Sequence, residues 1–236
     1  MKQGESSEEL WKKRRKKQQN RILIVVIIVL ACIAAGILIY LISRYQHTSA
    51  ERLPDEYEGQ IEALRSGTDQ DNDGIDDQTD ILQGALDYVA TTPKYKSKYY
   101  QTGYPDDGYG VCTDVVANAL RSAGYDLMTL IQEDISKDPG AYGVDEPDIN
   151  IDFRRVNNLE VYFEHTAVSL TTDISEIEEW QGGDIVVFEN HIGIVSDRRN
   201  ENGVPYVIHH NDPLQIRYEQ DILEKRDDIT GHFRMK

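Results

Sequence analysis

Cysteine is nearly absent from the chain, whose 236 residues include two, Cys32 and Cys112. Two cannot build a disulfide scaffold, and Cys32 sits inside an apolar run, which argues against its pairing with Cys112. Basic residues are scarce beyond Arg44, where sixteen Lys and Arg face thirty-nine Asp and Glu. That remainder carries a charge of −23, and so acidic a surface repels phosphates and excludes nucleic acid as its partner. Internal repeats are missing as well. Charge disappears altogether over residues 22–42.

Those twenty-one uncharged residues match the ~20 needed to cross a hydrocarbon core, whereas a secretory signal's apolar region is roughly 7–15. A basic run at residues 12–17 precedes them. The positive-inside rule therefore predicts a cytoplasmic tail over 1–21, one transmembrane helix over 22–42 and an extracellular C-terminal part. The rival is a lipoprotein box, Ile28-Val29-Leu30-Ala31-Cys32, with Cys32 bearing lipid. The apolar run continues for ten residues past Cys32, which favours a retained span. Residues 43–67 are polar and read as an extracellular stalk.

An acidic stretch follows at 68–80. Counted from Asp69, carboxylates fall at positions 1, 3, 5, 9 and 12 (Asp69, Asp71, Asp73, Asp77, Asp80), with Gly74 at position 6. This spacing wraps oxygen ligands around Ca²⁺, the backbone carbonyl of Ile75 supplying position 7. Asp80 replaces the Glu of intracellular sensor loops, and the stretch looks more like the extracellular DxDxDGxxDxxD loops of dockerin and thrombospondin type 3 repeats. The plain alternative is a solvated acidic linker. A helix is expected over 81–90.

Residues 108–127 are the stretch around which the rest is arranged. Val115, Val116, Ala119, Leu120 and Ala123 recur at helical spacing, and Gly124 is a natural stop after them. Cys112 then falls in the first turn. There, free backbone N–H groups and the positive end of the helix dipole favour a thiolate, the nucleophilic form. The alternative is a small apolar plug at a helix start. In the preceding loop Tyr99, Tyr100, Tyr104 and Tyr109 are candidate walls of a substrate groove.

Beyond the helix, another is expected over 127–135, then an extended segment over 149–156. Arg154 or Arg155 could hold a substrate carboxylate bidentately, or pair internally with the many acids. From Trp180 the pattern changes to strands, at 185–188, 191–196 and 205–209. His191 opens one and His209 closes another. A thiol on a helix followed by a small antiparallel sheet is an α+β arrangement.

In this order, Val111-Cys112-Thr113-Asp114, Gly183-Asp184-Ile185-Val186-Val187-Phe188, His191-Ile192-Gly193-Ile194-Val195 and Val207-Ile208-His209-His210 are similar to NlpC-like, papain-type cysteine peptidases of the bacterial cell wall. With Asn150-Ile151-Asp152-Phe153-Arg154-Arg155-Val156 and the terminal Gly231-His232-Phe233-Arg234, the set resembles more closely a bacterial domain-of-unknown-function family, number twelve-eighty-seven, over 81–236. The resemblance implies a papain-like fold with the nucleophile helix packed on the sheet. It implies Cys112 as nucleophile, His191 as general base and His209 as the residue that orients it, with His210 the alternative for that last role. The activity implied is an amidase or endopeptidase acting on cell-wall peptide, with peptidoglycan as partner and no organic cofactor. NlpC-like enzymes carry Asp-Cys-Ser-Gly at the nucleophile. Asp114 stands here in place of that glycine, on the substrate side of the site. The rival function is a non-catalytic, calcium-stabilised module binding wall glycan or peptide on the same scaffold. His232 and Arg234 either close the site or finish the fold, and His47 and His165 are expected at the surface.

Overall fold

The computed structural model describes residues 7–236, so the first six positions of the expected basic tail lie outside the described residues. The chain divides into two units, Met1–Tyr45 and Gln46–Lys236. Among the described residues the first is one helix, α1 (Ser7–Arg44), in which no proline interrupts good helix formers. Its 38 residues span about 57 Å at 1.5 Å each. It is long and apolar enough to cross a membrane, a property shared by a signal sequence near an N-terminus. Its Ile, Leu and Val side chains are exposed on every side, so it needs an apolar surrounding.

The second unit is α+β. In chain order it contains α2 (Asp77–Ala90), β1 (Lys94–Tyr95), β2 (Tyr109–Gly110), α3 (Cys112–Ser122), α4 (Leu127–Lys137), the single turn α5 (Pro139–Tyr142), a 3-10 turn (Asp152–Arg154) and α6 (Val156–Thr166). Then come β3 (Val168–Ser169), β4 (Ile185–Phe188), β5 (His191–Arg199), β6 (Pro205–Ile208), β7 (Glu219–Gln220) and β8 (Ile229–Arg234). The strands from β3 on form one antiparallel sheet in the order β3-β8-β4-β5-β6-β7, while β1 and β2 pair in parallel just before α3.

The sheet is covered on both faces. Ile185 and Val187 of β4 join a core with Ile81, Val115 and Leu120 of the helices, while Val186 and Phe188 join a second core with Trp180, Val195 and Leu223. An unbroken apolar run is what such a doubly buried strand requires. On the helical side α2 and α3 pack so closely that a Cβ at Gly84 would stand 1.7 Å from Ser122 Oγ.

Two expectations are corrected here. The segment 149–156 is not extended: Asp152 accepts the Asp148 N–H at 2.6 Å, and its carbonyl accepts the Asn158 amide at 3.1 Å, which curls the chain into the 3-10 turn and α6. Most of the stretch read as a stalk is a strap bonded along the second unit. Ser49 donates to the Ile216 carbonyl at 2.9 Å and accepts from the Tyr218 N–H at 3.0 Å. Arg52 pairs with Glu219 at 2.8 Å and also reaches Asp197, and the Leu53 N–H meets Glu219 at 2.6 Å. Glu219 is buried, and a buried carboxylate demands such partners.

Candidate active site and acidic loop

Cys112 is the first residue of α3, after an extended Val111. Asp114 reaches back to accept the Val111 N–H at 2.8 Å, which fixes the start of the helix. Cys112 packs on the helix-side core that contains Ile192, the residue after His191, while His191 itself stacks on Phe188 of the second core, across the sheet. At the same end of the sheet His191 Nε2 and His209 Nδ1 share a hydrogen bond of 2.8 Å. Gly193 makes this possible, because a Cβ there would stand 3.2 Å from His209 Cβ and 2.6 Å from Val207 Cγ1. His210, on the alternate face, stacks edge-on against Tyr95 and Tyr218, and neither of its ring nitrogens has a hydrogen-bond partner.

Burial works against the charged forms of these groups. Burial pushes the Cys112 thiol up to about 11; the Asp114 charge adds to this, and the Ile192 and Thr113 N–H groups oppose it. Burial, then the Arg226 charge, holds His191 down at about 4. Burial likewise keeps His209 well below its ordinary range. Both shifts favour the uncharged forms of the thiol and the imidazole. Desolvation outweighs what the helix N-terminus supplies.

Asp114 and Arg154 spend their charges on each other. They form a bidentate pair at 2.7 and 2.9 Å, both buried, and Arg154 also donates to the Lys98 carbonyl at 2.7 Å. Neither is left open to hold a substrate group. Arg155 is exposed, with Asp152 at 3.5 Å, and it borders an open groove with Tyr99, Pro147, Asp148 and Ile149. Tyr109 is half-buried under the Lys96 ammonium. Tyr95 is the neighbour that sequence reasoning missed. It is registered opposite Gly110, two residues before Cys112, and its backbone is clamped by the Gln46 side chain at 2.6 and 2.9 Å.

His232 and Arg234 belong to the fold. His232 meets Asp184 at 3.0 Å and the Thr171 carbonyl at 2.7 Å, with its ring stacked on Trp180 at 3.8 Å. Burial works to raise the Asp184 pKa, but hydrogen bonds from His232 and Arg234 bring it below the usual carboxylate range. His165 pairs with Asp134 at 2.7 Å.

In the acidic loop Asp69, Asp71 and Asp73 gather with their oxygens within 4.8 Å of one another. The Ile75 side chain points outward, exposed. Asp77 departs from the expected ligand set, because it is buried and accepts from the Gln70 N–H at 2.8 Å and the Tyr125 hydroxyl at 2.6 Å. Asp80 is buried, with Oδ2 lacking a hydrogen-bond partner, and burial followed by the Asp73, Asp71 and Asp69 charges raises it to about 6.

A family model described as a domain of unknown function, DUF1287, matches residues 82–235. The uncharacterized protein YijF of Escherichia coli (strain K12) is 38% identical over 167 residues, covering 65% of this chain and 80% of that protein. No solved structure matches. Because that family model covers well over half of the chain, the chain belongs to the DUF1287 family of domains of unknown function.

Proposed function

We propose that the protein is a membrane-anchored cysteine hydrolase, an amidase or endopeptidase, whose papain-like second unit faces the cell wall and cuts peptide amide bonds. The observation that supports this reading is Cys112 at the start of α3, packed on the helix-side core that contains Ile192, whose chain neighbour His191 shares a 2.8 Å hydrogen bond with His209. In this scheme His191 takes the thiol proton as Cys112 attacks the amide carbonyl, and returns it to the leaving amine. Water activated by His191 then hydrolyses the acyl-enzyme, while His209 holds one tautomer of the base. The bias toward uncharged forms suits this order, with proton transfer accompanying attack rather than preceding it.

The second reading, a non-catalytic module for wall glycan or peptide, draws on a specific contact. His191 leans on Phe188 of the second core, whereas Cys112 packs against the helix-side core. Incubation of the detergent-solubilised chain with peptidoglycan fragments, followed by mass spectrometry, separates the two. New peptide ends are expected from the wild type and not from Cys112→Ala or His191→Ala. Fragments retained intact, with equal binding by all three proteins, would establish the module instead.

A further inference from the structure

We propose that Gln46 is a positioning residue of the candidate site, its side-chain amide acting as the strand partner that fixes β1 beside the segment entering Cys112. β1 and β2 contribute two residues each and pair in parallel, too little to hold a ribbon alone. One edge of β1 is taken by the β2 segment: the Lys94 N–H donates to the Gly108 carbonyl at 2.8 Å and the Lys96 N–H to the Gly110 carbonyl at 3.2 Å. The other edge is taken by a single side chain. Gln46 Oε1 accepts the Tyr95 N–H at 2.6 Å, and Gln46 Nε2 donates to the Tyr95 carbonyl at 2.9 Å. A primary amide placed in this way reproduces both bonds that a facing strand residue would make.

The backbone of Gln46 is committed as well. Its N–H donates to the Pro213 carbonyl at 2.6 Å, three residues past His210, and its φ of +61° is one that residues other than glycine seldom adopt. Such a conformation persists where surrounding bonds over-determine it, and here three hydrogen bonds do. Gln46 thereby joins the two segments that border the site. Tyr95 lies opposite Gly110, two residues before Cys112, and turns its ring edge to His210 with centroids 5.3 Å apart. His210 is buried and neither ring nitrogen has a hydrogen-bond partner, so its orientation rests on the rings of Tyr95 and Tyr218. Loss of the clamp frees Tyr95, unseats His210 and loosens the entry to α3. Gln46 performs no chemistry itself. Its role in turnover rests on Cys112 being the nucleophile, as proposed above, whereas the clamp does not.

The test uses the full chain in detergent with Gln46→Ala, Gln46→Gly and Gln46→Glu. Glycine keeps the left-handed turn and loses the clamp. Glutamate keeps the acceptor for the Tyr95 N–H, loses the donor, and regains it when protonated. Hydrogen exchange at the Tyr95 amide is expected to quicken about tenfold in Gln46→Ala and Gln46→Gly, the scale of one or two lost hydrogen bonds. In peptide release from peptidoglycan fragments, kcat should fall about tenfold in both, with KM within about twofold. The deficit of Gln46→Glu should close as pH falls to about 5 and its carboxyl gains a proton, while that of Gln46→Ala stays constant, a difference that loss of packing alone would not produce. Unchanged exchange in Gln46→Gly would overturn the clamp, and quickened exchange with wild-type turnover would overturn the positioning role. Should the wild type release no peptide ends, the hydrolase reading falls by itself. The role of Gln46 is then judged by the rate at which iodoacetamide labels Cys112, and equal rates in wild type and Gln46→Gly would overturn it.

Discussion

At the scale of single residues, burial biases three histidines toward the neutral form. His210 shows the physics most simply, because burial holds it at about 4, with the Asp212 charge opposing, against an ordinary histidine value of 6.5. Between those two values the unfolded chain binds the more protons, so stability falls as pH drops through the window, by about 1.4 kcal/mol per pH unit for each such group. His191 is shifted in the same direction and to a similar value, and the two losses add. Replacing His210 by Phe removes one proton from this account along with two ring nitrogens that lack partners. Urea midpoints measured at pH 8 and pH 5 should lie closer together in His210→Phe than in wild type. Identical gaps would mean that His210 is already solvated. Cys112 obeys the same rule in reverse, since burial that keeps imidazoles uncharged also keeps a thiol protonated.

At the scale of elements, the seam between β5 and β6 decides whether two of these residues meet. Ile194 pairs with Ile208 and Val195 with Val207, and Gly193 lets the strands close with its missing side chain. Gly193→Ala would press on Val207 Cγ1 at 2.6 Å and the Ile208 carbonyl at 3.0 Å, overpacking that should cost about 1–3 kcal/mol in a denaturant titration. Unchanged stability would show that the seam yields. Sequence reasoning found β4, the start of β5 and β6 because buried strands announce themselves as apolar runs, and found α3 and α4 from their period. It placed Cys112, His191 and His209 in order. It could not find what distant chain partners decide. The Asp114–Arg154 pair joins residues forty positions apart, and 149–156 alternates like a strand although Asp152 binds it into a turn.

At the scale of the whole molecule, the family match begins at residue 82, but the second unit begins at Gln46. The difference holds the acidic loop and the strap. A chain cut to 82–236 leaves Glu219 buried without Arg52, and removal of one partner from a buried pair costs about 3–5 kcal/mol. Size-exclusion chromatography is expected to return 46–236 as a single species and 82–236 as unfolded or heterogeneous material. Equal behaviour would make the strap dispensable. Its placement has a further consequence. β7 is the last strand of the sheet, and Ser49 forms a parallel bridge to Arg217 just before it. Bare strand edges invite strands of other molecules. The strap takes up the backbone groups of 216–218 at this edge and denies another copy that docking rail.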